Sequence, residues 1–338
     1  MTKIIVQKFG GTSVGSVERI DAVADIIADA SKTAKIVVVV SAMAGETNKL
    51  VNLAKNFSEN PDKREFDALV STGETVSSAL LSLALHSKGI KAKSYSASQI
   101  SMKTTDTYSK AKILDVNAEK ILQVIKEETI PIITGFQGVT EDGDITTLGR
   151  GGSDTTAVAI AAQIGAERCD IYTDVDGVYS TDPNLEPKAK KINKLAFEEM
   201  LEMSSTGAKV LHTRSVELAM KNNLTLQVLS SITKQSGTFV VDENKLIEKE
   251  IVSGVSYSNN ESKLTLSGIA DKPGISATIF GLLANNNINV DMIVQNTSQD
   301  GVTANITFTV PNSEIHNAKK ILEENQNLID FKLSLIHI

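Results

Sequence analysis

Three segments of this 338-residue chain hold residues able to handle a phosphate. In the first, Lys8-Phe9-Gly10-Gly11-Thr12-Ser13-Val14-Gly15, an ammonium stands just ahead of two adjacent glycines. Glycines let a backbone approach a ligand and offer its N–H groups, and a helix starting after them adds the positive end of its dipole. A tight strand-to-helix turn would use the same residues. No Gly-Lys-Ser/Thr closes the loop, so it is not a Walker A cradle, and the later glycine and acid of the dinucleotide fingerprint do not fall in place. In the second, Thr147-Leu148-Gly149-Arg150-Gly151-Gly152-Ser153-Asp154-Thr155-Thr156, glycines, an Arg and an Asp open an alanine-rich helix. Ser153 or Asp154 capping that helix accounts for the Ser-Asp-Thr run. It leaves Arg150 unexplained, because an Arg set among glycines usually faces an anion. The third, Thr173-Asp174-Val175-Asp176-Gly177-Val178-Tyr179-Ser180-Thr181-Asp182-Pro183, follows a buried strand. Asp-Gly and Asp-Pro are ordinary turn signals. At the carboxyl end of a strand, where open α/β sheets bind ligands, the combination points to a nucleotide.

Smaller pieces add to these. Ser41-Ala42-Met43-Ala44-Gly45, with Thr47, follows a valine run and so marks another carboxyl end. Ser71-Thr72-Gly73-Glu74 falls in a helical stretch, where Gly costs roughly 1 kcal/mol against Ala and implies close contact with something. Gly207-Ala208-Lys209 opens a further helix and would bring a second ammonium toward a phosphate. Each of these is a weak signal taken singly: a solvated Lys or a surface Glu is then the better reading. His86, His212, His316 and His337 lack metal-ligand spacing, no Gly-x-Ser-x-Gly elbow is present, and Met200 and Met203 read as packing.

The elements that must hold these loops alternate between strand and helix. Lys3–Lys8 reads as a strand, and Ile36–Val40 as one buried on both faces. Further strands are expected at Lys91–Tyr95, Ile130–Thr134, Cys169–Val175, Leu224–Leu229 and Thr238–Val241. A helical stripe, Ile20, Val23, Ala24 and Ile27, marks Val17–Ser31. Helices are also expected at Phe66–Ser87, Ser109–Glu128, Thr155–Ala166, Asn193–Met203 and Ala208–Asn222. This alternation implies an α/β sandwich with a mainly parallel central sheet. From Lys263 the order becomes strand, helix, strand, strand, helix, strand, a ferredoxin-like βαββαβ unit. The charge-rich run from Asp242 to Lys249 reads as an exposed connector between the two.

Composition narrows the class. The chain is 41% hydrophobic and 22% charged, with 34 basic against 41 acidic residues and a net charge of −7. That balance argues against a nucleic-acid or anionic-membrane binder, which needs a basic face. No apolar run approaches the roughly 20 residues of a membrane span, and Met1–Phe9 lacks a signal peptide's apolar stretch. The single cysteine, Cys169, allows neither an internal disulfide nor a zinc cluster. A reduced, cytoplasmic protein is the expectation.

With its segments together, the chain resembles the aspartate kinases of the amino-acid kinase family over essentially its whole length. The resemblance is carried by Lys8-Phe9-Gly10-Gly11-Thr12-Ser13-Val14, Ser71-Thr72-Gly73-Glu74 and Leu148-Gly149-Arg150-Gly151-Gly152-Ser153-Asp154. Tyr172-Thr173-Asp174-Val175-Asp176-Gly177-Val178-Tyr179 and Gly207-Ala208-Lys209-Val210-Leu211 complete it, all in family order. Asp271-Lys272-Pro273-Gly274 and Asn289-Val290-Asp291-Met292-Ile293-Val294-Gln295-Asn296 look like the first ACT regulatory domain of such enzymes. The resemblance divides the chain into a catalytic domain at 1–242, a connector at 243–262 and an ACT domain at 263–338. Ile251–Tyr257 looks like the first strand of a second ACT domain whose remainder is absent, leaving an exposed edge prone to pairing.

What it implies is phosphoryl transfer from ATP, carried with Mg²⁺, to the side-chain carboxylate of L-aspartate, giving 4-phospho-L-aspartate on the way to lysine, threonine and methionine. A carboxylate is already a nucleophile, so positioning and charge stabilisation are most of the task. Lys8 and Asp154 would be catalytic, with Gly10 and Gly11 donating N–H groups to phosphates. Thr173, Asp174, Tyr179 and Lys209 would line the ATP site. Arg150 would grip a carboxylate of aspartate in a bidentate pair, and Glu74 its ammonium, helped by Ser41, Thr47 and Ser153. No protein-held metal is implied. Asp271, Gly274, Ile275, Asn289, Asp291 and Gln295 look like effector contacts for lysine or threonine, and ACT domains imply a homodimer or higher oligomer. Asn184 stands where many relatives carry Arg, which implies that one nucleotide contact is missing or replaced. Two alternatives stand beside this: a related kinase acting on glutamate, acetylglutamate, carbamate or UMP, and a non-catalytic amino-acid-binding subunit.

Overall fold

The valine-rich runs become the middle of a sheet. In the computed structural model, β1 (Ile4–Phe9) and β2 (Lys35–Val40) pair in parallel, from Ile4 opposite Lys35 to Phe9 opposite Val40. The structure describes residues 3–206, 210–233, 235–246, 252–258, 260–286, 288–297, 303–329 and 331–337, of which 332–337 by backbone course alone. Between the two strands runs α1 (Val17–Ser31), burying the expected stripe of Ile20, Val23, Ala24 and Ile27. Its cap is Ser16, whose hydroxyl oxygen accepts the Arg19 N–H at 3.3 Å.

Then follow α2 (Glu46–Lys55), α3 (Lys63–Val70), α4 (Thr72–Ser87), β3 (Ala92–Tyr95), β4 (Lys103–Thr104), β5 (Ile113–Asp115), α5 (Ala118–Lys126), β6 (Ile130–Thr134), β7 (Gln137–Val139) and β8 (Ile145–Thr147). After these come α6 (Gly152–Gln163), β9 (Arg168–Thr173), β10 (Lys194–Ala196), α7 (Phe197–Ser205), α8 (Thr213–Lys221), β11 (Thr225–Ser230) and β12 (Thr238–Val241). The main sheet has the order β10-β12-β11-β9-β1-β2-β6-β3, parallel throughout except for the β11–β12 pair. Because strand side chains alternate, Val6, Val37 and Val39 join one core with Ala157, Val158 and Ile160, while Ile5, Phe9, Val38 and Val40 join a second with Ile20, Val23 and Leu81. Helices therefore cover both faces. A small sheet, β5-β4-β7-β8, lies apart from the main one.

Several expected elements differ in extent. The helix expected at 66–87 breaks at Ser71, which ends α3 and begins α4. That stretch is apolar and long enough to cross a membrane by composition, yet half of it is packed inside the domain and it holds the buried acids Asp67 and Glu74. The helix expected at 109–128 starts only at Ala118, capped by Asn117. Ahead of it Ser109 takes a left-handed φ of 64° and Ile113–Asp115 pairs with β4. Residues 194–196, expected as helix, pair with β12, and the helix expected from 208 begins at Thr213.

The chain divides into two units, Met1–Ser256 and Tyr257–Ile338. The second holds β13 (Glu261–Ala270), α9 (Ile275–Asn285), β14 (Asp291–Thr297), β15 (Thr303–Pro311), α10 (Ile315–Glu324) and β16 (Lys332–His337). Its antiparallel sheet runs β14-β15-β13-β16, the ferredoxin-like order, over a core of Leu264, Leu266, Ile306, Phe308, Ile279 and Leu322. Within the first unit 252–256 forms no strand, contrary to the strand expected at Ile251–Tyr257: the Val255 N–H instead donates to the Ser180 carbonyl at 2.7 Å.

Candidate active site

At the carboxyl ends of β1 and β2, with the N-terminus of α6 beside them, lies a cleft of about 400 Å³. Lys8, Gly11, Ser41, Thr47, Glu74, Arg150, Ser153 and Asp154 all line it. Residues from Lys8 to Asp154, far apart in sequence, thus face one space. Lys8, the next-to-last residue of β1, puts its Nζ 2.6 Å from Asp154 Oδ1, with both side chains almost buried. A charge-assisted contact of this length in a water-poor site fixes the ammonium in one place.

Asp154 reaches the cleft because neither it nor Ser153 caps α6. The cap position is Gly151, at φ 72°, and it makes no side-chain capping bond. Gly149 is also left-handed, at φ 77°. A Cβ on Gly151 would strike the His212 ring at 2.3 Å, so only glycine carries the chain past that ring. Burial lowers the His212 pKa, aided by Arg150 and Arg214 and opposed by Asp154. Arg150 is exposed at the cleft and makes no hydrogen bond or ion pair among the described residues.

Glu74 sits in the first turn of α4, 3% exposed. Its Oε1 accepts the Ala42 N–H at 3.1 Å, and its buried Oε2 has no hydrogen-bond partner among the described residues. Burial pushes this carboxyl up to about 7, with the Ala42 and Glu74 N–H groups pulling against it. The contact implied by Gly73 is found here: a Cβ at that position would come within 2.7 Å of the Ala42 Cβ.

The residues expected on the nucleotide side lie at the end of β9 and in the loop after it. Phe9 and Tyr172 stack at 4.6 Å across β1 and β9, bringing Thr173 and Asp174 beside Gly10. The Thr173 hydroxyl donates to Asp174 at 3.0 Å. The Tyr179 hydroxyl donates to Asp176 at 2.9 Å, and Lys191 pairs with the same carboxylate at 3.2 Å. One expectation changes. The Gly10 N–H, expected to face phosphates, donates to the Tyr172 carbonyl at 3.1 Å because the β1–β9 ladder continues through it. Asn184 folds back on Asp182, donating through its backbone and side-chain amides at 2.9 and 3.0 Å. Lys209, with Gly207 and Ala208, lies outside the described residues.

In the second unit, Asp271, Gly274, Ile275 and Gln295 gather at one end of the sheet, where Gln295 Nε2 is 3.4 Å from Asp271 Oδ1. Asp291, with Asn289 just before it, lies toward the other end, opposite Thr309. The six expected effector positions are therefore not brought together within one unit.

Sequence reasoning passed over Asp67 and Arg214, which hold the Arg150 loop from behind. The one available signal for Asp67 is a lone acid within Phe66-Asp67-Ala68-Leu69-Val70.

Residues 3–230 match the amino acid kinase family, and residues 264–326 match the ACT domain. An aspartate kinase of Pseudomonas putida is 50% identical over 322 residues, 95% of this chain and 78% of its own length. An aspartokinase of Helicobacter pylori is 46% identical over 325 residues, 95% of this chain and 80% of that one. Among solved structures, E. coli aspartokinase III in complex with aspartate and ADP superposes with a TM-score of 0.83 at 29% identity, covering 98% of this chain and 86% of that one. The same enzyme in complex with lysine and aspartate gives 0.77 at 30% identity, covering 98% and 85%. The fold is that of an amino acid kinase. Within that family the chain belongs to the aspartate kinases, phosphotransferase enzymes that carry an ACT domain.

Proposed function

We propose that this chain transfers the γ-phosphoryl group of ATP to the side-chain carboxylate of L-aspartate, giving 4-phospho-L-aspartate and ADP. The observation that carries this reading is the grouping of Lys8–Asp154, Arg150 and Glu74 around one cleft. An amino acid with two carboxylates and one ammonium needs two cationic partners and one anionic partner, and the cleft lining supplies that set. Arg150 grips one carboxylate in a bidentate pair, Glu74 takes the ammonium through its unpartnered Oε2, and Ser41, Thr47 and Ser153 complete the pocket. The second carboxylate faces Lys8. An oxygen of that group bonds to the γ-phosphorus as the bond to the bridging oxygen of ADP breaks. No proton moves.

Lys8 meets the charge that spreads over the transferring group, and Asp154 orients it. Gly11, Thr173, Asp174, Tyr179 and Lys209 are the proposed nucleotide neighbours. Mg²⁺ carried on the ATP phosphates supplies further positive charge. The proposed product lies on the way to lysine, threonine and methionine, and the ACT domain is read as the site where lysine or threonine exerts feedback. The exposed edge strand β14, with Met292, Ile293 and Val294 uncovered, supports pairing of two copies.

The test is turnover with Mg-ATP across aspartate, glutamate, acetylglutamate and UMP, repeated with lysine and threonine. Aspartate-dependent ADP release, lowered by either effector, agrees with the reading. Faster turnover with another acceptor, or none from folded protein, overturns it.

A further inference from the structure

We propose that Asp67 and Arg214 form a two-sided bracket that sets the place of the Arg150 loop, so that both are positioning residues for the amino-acid substrate. The inference rests on the reading of Arg150 as the carboxylate grip.

Asp67 lies on α3 and is fully buried. Its Oδ2 accepts the N–H groups of Ser109 and Thr147 at 2.8 and 2.7 Å, and its Oδ1 accepts their hydroxyls, each at 2.9 Å. No cation pairs with it among the described residues. A buried carboxyl keeps its place only when hydrogen bonds replace its water, and here four do so. What they fix is specific. Thr147 ends β8, just ahead of Gly149 and Arg150. Ser109 is held in its left-handed conformation, unusual outside glycine, with its carbonyl where a Cβ on Gly149 would lie 2.9 Å away.

Arg214 works from the other side. It stands on α8, and its Nη1 and Nη2 donate to the carbonyls of Leu148 and Ala111 at 3.0 and 2.9 Å. The Ala111 N–H in turn donates to the Thr147 carbonyl at 3.0 Å. Residues 147 and 148, and through Ser109 the approach to 149, are thus held from two elements that do not touch the cleft themselves. A guanidinium fork spans two carbonyls at once, which a lysine ammonium on a flexible stem does not reproduce. The same α3 leads through Ser71 into α4 and Glu74, so Asp67 also ties the arm proposed for the ammonium to the arm proposed for the carboxylate.

The experiment measures KM for aspartate and for ATP, kcat and Tm in Asp67→Asn, Thr147→Val, Arg214→Lys and Arg150→Ala. Asp67→Asn turns one acceptor into a donor that meets donors already in place. A rise in aspartate KM of roughly tenfold or more, with ATP KM within about twofold, is expected for Asp67→Asn and Arg214→Lys. Thr147→Val, which removes one hydroxyl bond, should shift aspartate KM the same way by less, and it decides the matter if Asp67→Asn does not fold. A fall in Tm with both KM values unchanged, or an equal rise in both, overturns the bracket. If Arg150→Ala itself leaves aspartate KM unchanged, the reading of Arg150 fails instead. If only Arg150→Ala raises it, that reading stands and the bracket fails.

Discussion

Two side chains in the cleft carry most of the testable chemistry. In the proposed reaction Lys8 is worth most when charge moves onto the transferring group, because only interactions stronger in the transition state speed the step. Lys8→Ala should therefore lower kcat by about 10²–10³-fold, the scale of losing one such charge partner, with a small change in ATP KM. Steady-state kinetics at saturating aspartate will show this, and unimpaired turnover removes Lys8 from the catalytic role. Glu74 poses a trade-off between binding and stability. Its carboxyl titrates at about 7 in the folded chain against 4.5 unfolded, so the native state holds a proton that the unfolded one has lost between those values. Its contribution to stability is full below 4.5 and disappears as pH rises through about 7. The stability lost between those two values is on the order of 3 kcal/mol, and above about 7 the carboxyl is ionised and buried. Glu74→Gln should raise stability by up to that amount at pH 8, with the gain shrinking toward pH 4.5, while raising aspartate KM. Urea denaturation at pH 8 and pH 5 separates the cases: an equal gain at both would mean that ionisation is not the cause. In the natural chain, kcat/KM for aspartate should climb as pH passes about 7.

At the scale of elements, Gly73 shows how a helix can be bent to a site's needs. Ala in a helix is ordinarily better than Gly by about 1 kcal/mol. Here a Cβ would press on Ala42, whose N–H holds Glu74, and overpacking costs about 1–3 kcal/mol. Gly73→Ala should accordingly lower Tm and raise aspartate KM together. A variant that melts higher with unchanged KM would show that the contact with Ala42 is idle. Val17–Ser31 was legible from its helical apolar stripe, and the strands at 130–134 and 238–241 from short apolar, β-branched runs bounded by turn residues. The small sheet was not: β4 spans Lys103–Thr104, too short to show a period, and a buried Asp67 fed it only by hydrogen bonds across distant residues. The cleft itself was readable because Gly, Lys, Arg and Asp in short runs mark chemistry directly. Residues that act from behind it, such as Arg214, leave no mark of that kind.

At the scale of the molecule, the central sheet is what the rest depends on. β9 lies between β1 and β11, pairing Cys169 with Val6 on one side and Leu226 on the other. Cys169 is fully buried, and that burial pushes its thiol well above its ordinary value. A thiol without its thiolate and without access is inert to disulfide reagents. The chain has no other cysteine. It therefore carries a built-in clock for opening of its innermost strands: a chromogenic disulfide should react with native protein only as fast as the sheet separates, and at once in denaturant. Aspartate together with nucleotide should slow that colour change, turning occupancy of the cleft into a rate read without any label. Prompt reaction of the unliganded native chain would mean that the sheet's middle opens far more readily than its packing implies.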